Sequence, residues 1–155
     1  MRRTLSVGAL VAGLDAGLIY NEFPMMGKGL TPPLKELFNP HYTQTEKPSL
    51  VSLIGHNMGE NPATVQLEHR VIATITFLYI AAVWLKVRRT QLPPRIRRPM
   101  GVVMAMAVLQ VTLGISTLIY MVPKDLAVTH QAGSLMLLTS ILVLLGRFRV
   151  PKFPV

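Results

Sequence analysis

The stretch Asn61-Pro62-Ala63-Thr64-Val65-Gln66-Leu67-Glu68-His69-Arg70-Val71-Ile72-Ala73 runs into an apolar segment that ends near Leu85, and its reading decides the fold. No charged residue occurs from Val71 to Leu85. Counted from Pro62, the segment is long enough to cross a hydrocarbon core of about 30 Å at about 1.5 Å per residue. Asn61 suits an N-cap, and proline is tolerated in a first helical turn because its missing N–H would have had no partner there. A membrane helix is therefore expected over about 62–85, with His69 about two turns inside. An ionisable side chain at that depth is costly unless it faces the bundle interior or a ligand, which makes His69 a candidate functional residue. The plainer alternative is a histidine that reaches back to the interface.

Composition points the same way. Half of the 155 residues are apolar, 15% are charged and the mean hydropathy is +0.43; soluble domains carry roughly 25% charged residues. The chain is long enough for one small bundle, so 1–155 is read as a single transmembrane domain. With no cysteine, disulfides, thiolate zinc sites and cysteine-ligated clusters are excluded. The net charge of +9 does not indicate nucleic acid, because the basic residues flank apolar spans and are not interleaved with aromatics on a soluble face.

Three further spans are expected, at about 5–20, 100–121 and 126–146. The first follows Arg2 and Arg3 and is interrupted by Asp15. That interruption, and the poor cleavage context Asn21-Glu22-Phe23-Pro24, argue against a signal peptide. Ala9, Gly13 and Gly17 share one helix face, with Gly8, Ala12 and Ala16 on the adjoining strip; such small side chains let a neighbouring backbone approach closely. Gly101 and Gly114 are small-residue contacts of the third span. The long connection 21–61 is not a disordered linker, since Leu50-Val51-Ser52-Leu53-Ile54-Gly55 is apolar enough to lie in the interface or pack on the bundle. His41, His56, Met25, Met26 and Met58 are too irregularly spaced to support a copper site, although thioether and imidazole suit that metal.

Charge sets the topology. The amino end, the loop 86–99 and the tail from Arg147 hold eleven of the sixteen basic residues and no acid, whereas the other two connections carry Glu22, Glu36, Glu46, Glu60 and Asp125. By the positive-inside rule, both termini and the basic loop share the inner side, and the four spans alternate. The second and fourth spans then run the same way, which brings His69 level with His130, about four residues into the fourth span. Two imidazoles facing each other in a helical bundle are what six-coordinate haem iron requires, because the macrocycle leaves two axial positions. Zinc would need three or four protein ligands, and no third is evident at this depth. A polar helix start, with Thr129 and Gln131 beside His130, is the alternative reading. Arg70 sits deeper than the loop charges, so an anionic partner such as a haem propionate is expected; a guanidinium that snorkels to lipid headgroups is the alternative.

Four motifs in order carry a family resemblance: Val11-Ala12-Gly13-Leu14-Asp15-Ala16-Gly17-Leu18-Ile19-Tyr20-Asn21-Glu22-Phe23-Pro24-Met25-Met26, Asn61 to Arg70, Leu113-Gly114-Ile115-Ser116-Thr117-Leu118, and Val122-Pro123-Lys124-Asp125-Leu126-Ala127-Val128-Thr129-His130-Gln131. Over nearly its whole length the chain resembles the carboxy-terminal half of haem A synthase of the mitochondrial and alphaproteobacterial type. The resemblance implies an all-α fold: an integral membrane four-helix bundle that is half of an eight-span protein of the mitochondrial inner membrane or bacterial plasma membrane. It implies an oxidoreductase that converts the haem O methyl group to the formyl group of haem A for cytochrome c oxidase assembly. It also implies a haem b held by one histidine on the second span and one on the fourth, positions that match His69 and His130. The substrate haem's own histidines, and a carboxylate proposed to take part, belong to the amino-terminal half, which this sequence does not contain. The expected partners are therefore that half or a second copy, haem O reached through it, an unidentified electron donor and lipid, but not nucleic acid. Two other classes use the same features: a bis-histidine b-type membrane cytochrome that only transfers electrons, and a haem-free membrane assembly subunit.

Overall fold

The computed structural model describes residues 2–43, 45 and 48–148, with side chains from residue 8 onward. Glu46 and the tail beyond residue 148, both used in the charge argument, lie outside the described residues. The elements are helix α1 (Arg2–Gly13), a 3₁₀ turn (Ala16–Leu18), a short helix α2 (Leu34–Leu37), a second 3₁₀ turn (Pro40–Tyr42), α3 (Leu50–Glu60), α4 (Pro62–Arg89), α5 (Pro94–Ile119) and α6 (Lys124–Phe148). No β-strand occurs among the described residues, and only an isolated bridge joins Met26 to Gly29. Helices α4, α5 and α6 have 28, 26 and 25 residues and are long and apolar enough to cross a membrane. The chain is an all-α membrane protein.

Helix α4 starts as its sequence dictates. The Asn61 side chain accepts a hydrogen bond from the Ala63 N–H at 3.0 Å, with Pro62 in the first turn. Its basic last turn suits the negative end of the helix dipole. The helix continues past Leu85 to Arg89, and α5 begins at Pro94, so the basic loop expected over 86–99 is a short turn between two helix ends. Pro94 and Pro99 both fall near the α5 start, where few intrahelical N–H partners are lost.

The first span departs from expectation. A helix over 5–20 was anticipated, but α1 stops at Gly13, and Asp15 adopts a left-handed conformation (φ 48°) before the 3₁₀ turn. Asp15 is exposed at this break, so the carboxylate that interrupted the apolar run marks where the helix ends. Aspartate tolerates that backbone conformation better than most side chains.

Packing follows chain order. Helix α5 packs most extensively on α6, then α4 on α5, and α1 on α4; α4 and α6 share no substantial packing of their own. At the basic end, Ile80 and Val87 of α4, Ile96, Met100 and Val103 of α5, and Leu144 of α6 are among the buried core residues. The opposite end is covered by the described residues of the connection 16–61, which form a cap. Within the cap, Asn57 and Asn61 are fully buried and tie α3 to the start of α4. Asn57 Oδ1 accepts from the Asn39 N–H (3.1 Å) and from Asn61 Nδ2 (2.8 Å). Asn61 Nδ2 also donates to Glu36 O at 2.6 Å, and Thr64 Oγ1 donates to Leu37 O at 2.9 Å.

The turn from α5 to α6 satisfies the last carbonyls of α5 in an unusual way. Met121 N–H donates to Leu118 O (3.1 Å) and Val122 N–H to Thr117 O (2.8 Å), the pair of bonds of a Schellman motif. Its left-handed residues are Met121 (φ 58°) and Val122 (φ 57°), positions where glycine or asparagine is usual. The Val122 side chain lies against Gly17, where an added Cβ would come within 2.9 Å of Val122 Cγ2. Asn21 Nδ2 closes the same corner by donating to Gly17 O and Leu118 O, both at 2.9 Å. The cap is thus latched to the turn that delivers α6.

Candidate functional site

His69 is the eighth residue of α4 and His130 the seventh of α6, so both lie about 9–11 Å inside their helix starts at 1.5 Å per residue. The two helices run in the same direction on either side of α5. Each histidine thus lies about two turns into its own helix, and the fourth helix begins two residues earlier than anticipated, at Lys124.

Each ring rests on a glycine of a neighbouring helix. A Cβ built on Gly8 of α1 would lie 3.6 Å from His69 Cε1. One built on Gly114 of α5 would lie 3.4 Å from His130 Nε2 and 2.9 Å from its Cε1, the latter closer than real side chains come. Gly114 is thus a cradle for His130 that any larger residue would fill. Among the small residues expected to line α1, Gly8 meets the site and Gly17 meets Val122, whereas Gly13 has nothing within 4 Å. Gly101 likewise has no close neighbour.

The polar partners of the two histidines differ. His69 Nδ1 is buried with no hydrogen-bond partner. His130 Nδ1 lies 3.1 Å from Gln110 Nε2, which also donates to the His130 carbonyl at 2.7 Å. No acidic side chain is bonded to either ring among the described residues. Two half-buried imidazoles, each set against a glycine of a neighbouring helix and one with a buried nitrogen that has no partner, suit the coordination of a haem iron.

Arg70, expected to meet an anion, has other partners in the fold. Its Nη1 donates to Met25 O (3.0 Å) and Pro24 O (3.4 Å), and its Nη2 to Glu22 O (2.9 Å) and Tyr20 O (3.1 Å). Gln66, one turn earlier, adds a bond from Nε2 to Tyr20 O at 3.0 Å. The segment 20–25 is thereby strapped to the turn of α4 that carries His69, while Arg70 Nε has no partner. Tyr20 extends the strap with a 2.7 Å bond from its hydroxyl to Glu36 Oε2.

His41 and His56 stay in the cap. His41 stacks edge-on against Tyr42, and His56 Nδ1 is 2.8 Å from Ser52 O within α3. The residue that sequence reasoning missed is Gln110. Its signal was available: it is the only side-chain amide in the apolar run 100–121, and it precedes Gly114 by one helical turn.

The sequence profile of the COX15-CtaA cytochrome oxidase assembly protein family matches residues 3–142. Heme A synthase-mitochondrial ferredoxin fusion protein of Schizosaccharomyces pombe is 47% identical over 147 residues, covering 93% of this chain and 24% of that protein. Heme A synthase COX15 of Homo sapiens is 44% identical over 146 residues, 94% of this chain and 32% of the relative. A bacterial heme A synthase, from Nitrosospira multiformis, is 38% identical over 135 residues, 87% of this chain and 34% of the relative. The chain therefore spans about a third or less of the length of each of these relatives. No solved structure matches. With its profile matched across nearly the whole bundle, the chain belongs to the COX15-CtaA cytochrome oxidase assembly protein family.

Proposed function

We propose that this chain is the haem b-binding cofactor half of a haem A synthase, an oxidoreductase that converts the haem O methyl group to the formyl group of haem A for cytochrome c oxidase. The observation that carries the reading is the pairing of His69 and His130 at one depth on two like-directed helices, each against a glycine. The names of the relatives support the reaction class. In this reading His69 and His130 would hold the haem iron. Bound there, a haem would supply one-electron transfer to a substrate haem held elsewhere.

The chain's own residues bind and orient. Gly8 and Gly114 let the imidazoles sit between the helices, and the apolar walls of α4 and α6 exclude water. Arg70 and Gln66 hold the segment 20–25 over the His69 end, and Arg70 Nε remains as a donor for a propionate. Under the positive-inside rule the basic end faces the matrix or cytoplasm together with both termini, which puts the histidines toward the opposite face. The fusion of one relative to a mitochondrial ferredoxin supports a ferredoxin as the electron source of the complete enzyme.

Both axial histidines are engaged in this arrangement, so no second pair is left to hold haem O. Expressed in a membrane that contains haem O and no endogenous haem A synthase, the chain alone is expected to yield no haem A, and activity is expected to return when four further family spans are co-expressed. Haem A formed by the chain alone would overturn the division into a substrate half and a cofactor half. Continued absence of haem A in the presence of the other spans would favour a cytochrome that only transfers electrons.

A further inference from the structure

Gln110 is the only side chain hydrogen-bonded to either of the paired histidines among the described residues, and the packing around it is built to keep it there. It lies one helical turn from Gly114 on α5, so the His130 ring is held between an amide on one side and a bare backbone on the other. On α6, Gly133 lies three residues beyond His130, and a Cβ added there would run into Gln110 Oε1. Two glycines on two helices therefore make room for one imidazole and the one amide that meets it.

The hydrogen-bond ledger of this amide is incomplete. Nε2 donates to the His130 carbonyl and faces Nδ1, whereas Oε1 is buried with no partner. In this orientation an amide N–H points at Nδ1, which must then be the unprotonated nitrogen, and the ring proton is on Nε2. Coordination of a metal through Nε2 demands the opposite tautomer, with the proton on Nδ1. A half-turn of the carboxamide exchanges its donor and acceptor and presents Oε1, the atom now unpaired, to an Nδ1–H; in that exchange Nε2 gives up its bond to the His130 carbonyl, and the amide draws back from that oxygen. A carboxamide whose buried Oε1 has no partner, beside the ring of a ligand histidine, supplies the acceptor for such an exchange.

We infer that Gln110 is the positioning residue of His130: its amide selects the His130 tautomer, and by turning to accept from Nδ1–H it fixes the ring plane and raises the basicity of Nε2 toward haem iron. The inference rests on the reading of His69 and His130 as axial ligands. It distinguishes the two histidines, because the His69 ring has no such partner.

The test uses the full chain purified with haem, together with Gln110→Leu, Gln110→Glu and His130→Ala. Gln110→Leu, which removes the acceptor at similar volume, is expected to raise the midpoint potential, weaken haem retention about tenfold or more and change the g-values of the low-spin electron paramagnetic resonance signal, which follow ring orientation. Gln110→Glu, nearly isosteric and a stronger acceptor, is expected to lower the potential and retain haem, so the inference stays open to refutation even if the leucine variant fails to fold. A purely structural role would change expression or melting while potential and g-values stayed as in the parent. Unchanged potential and g-values in both Gln110 variants, with His130→Ala abolishing the low-spin signal, would overturn the positioning role alone. A low-spin signal that survives His130→Ala would overturn both this inference and the ligand assignment on which it rests.

Discussion

The two ends of the bundle are held together by different physics. At the basic end, α4, α5 and α6 meet through buried aliphatic side chains and methionine, and the lipid outside is as apolar as the core inside. Helix association there comes from close packing, without a hydrophobic driving force between core and lipid. At the capped end, where the histidines lie, buried and half-buried polar side chains do the joining: Asn57 and Asn61 tie α3 to α4, Arg70 and Gln66 tie the segment 20–25 to α4, and Asn21 ties that segment to the α5–α6 turn. The apolar end tolerates adjustment, whereas the polar end specifies one arrangement, because breaking a bond of the buried Asn57, Asn61 or Gln66 leaves a donor or acceptor unmatched.

The largest effect is therefore expected from the polar end. Asn57→Leu removes the acceptor for Asn39 N–H and Asn61 Nδ2 and the donor to Asn39 O and Leu53 O. A loss of about 3–4 kcal/mol is expected, read as a lower midpoint of thermal unfolding in detergent, with early proteolysis in the cap. At the apolar end, Met100→Ala should cost about 2 kcal/mol, the low end for truncating a buried methionine, since only packing is lost and no polar group is left unmatched. Haem absorption should be unchanged in that variant. Equal losses at the two ends would remove the distinction between them. The smallest effect is a gain. Met121 holds a left-handed φ of 58° in the α5 cap, so Met121→Gly should relieve about 1 kcal/mol of backbone strain, seen as a small rise in the unfolding midpoint.

Much of the apolar end was legible in the sequence, because charge-free runs of membrane length and basic flanks are direct consequences of the bilayer. The Asn61-Pro62 start of α4 was legible for a local reason, since capping depends on adjacent residues alone. His69 and His130 could be placed level because helix rise is fixed and the spans alternate. The break at Asp15 was not legible as a break: a carboxylate in an apolar run reads equally as a buried charge or as a helix end, and only the cap packed behind it decides. Nor did Met121 or Val122 signal a left-handed turn, since their conformation is imposed by the Schellman bonds and by Gly17 receiving the Val122 side chain. Arg70 was read as a charge seeking an anion, but four backbone carbonyls, contributed by a segment 45–50 residues earlier, are its partners in the fold. Such long-range satisfaction of a cation by main-chain oxygen has no sequence pattern.

The central claim is that His69 and His130 together hold one haem. The most direct measurement is the visible and electron paramagnetic resonance spectrum of the purified chain loaded with haem b, compared with His69→Ala, His130→Ala and the double variant at matched protein concentration. The account predicts one low-spin six-coordinate haem per chain in the parent, loss of six-coordination in either single variant and loss of bound haem in the double variant. A double variant that keeps the parent spectrum and stoichiometry would contradict it.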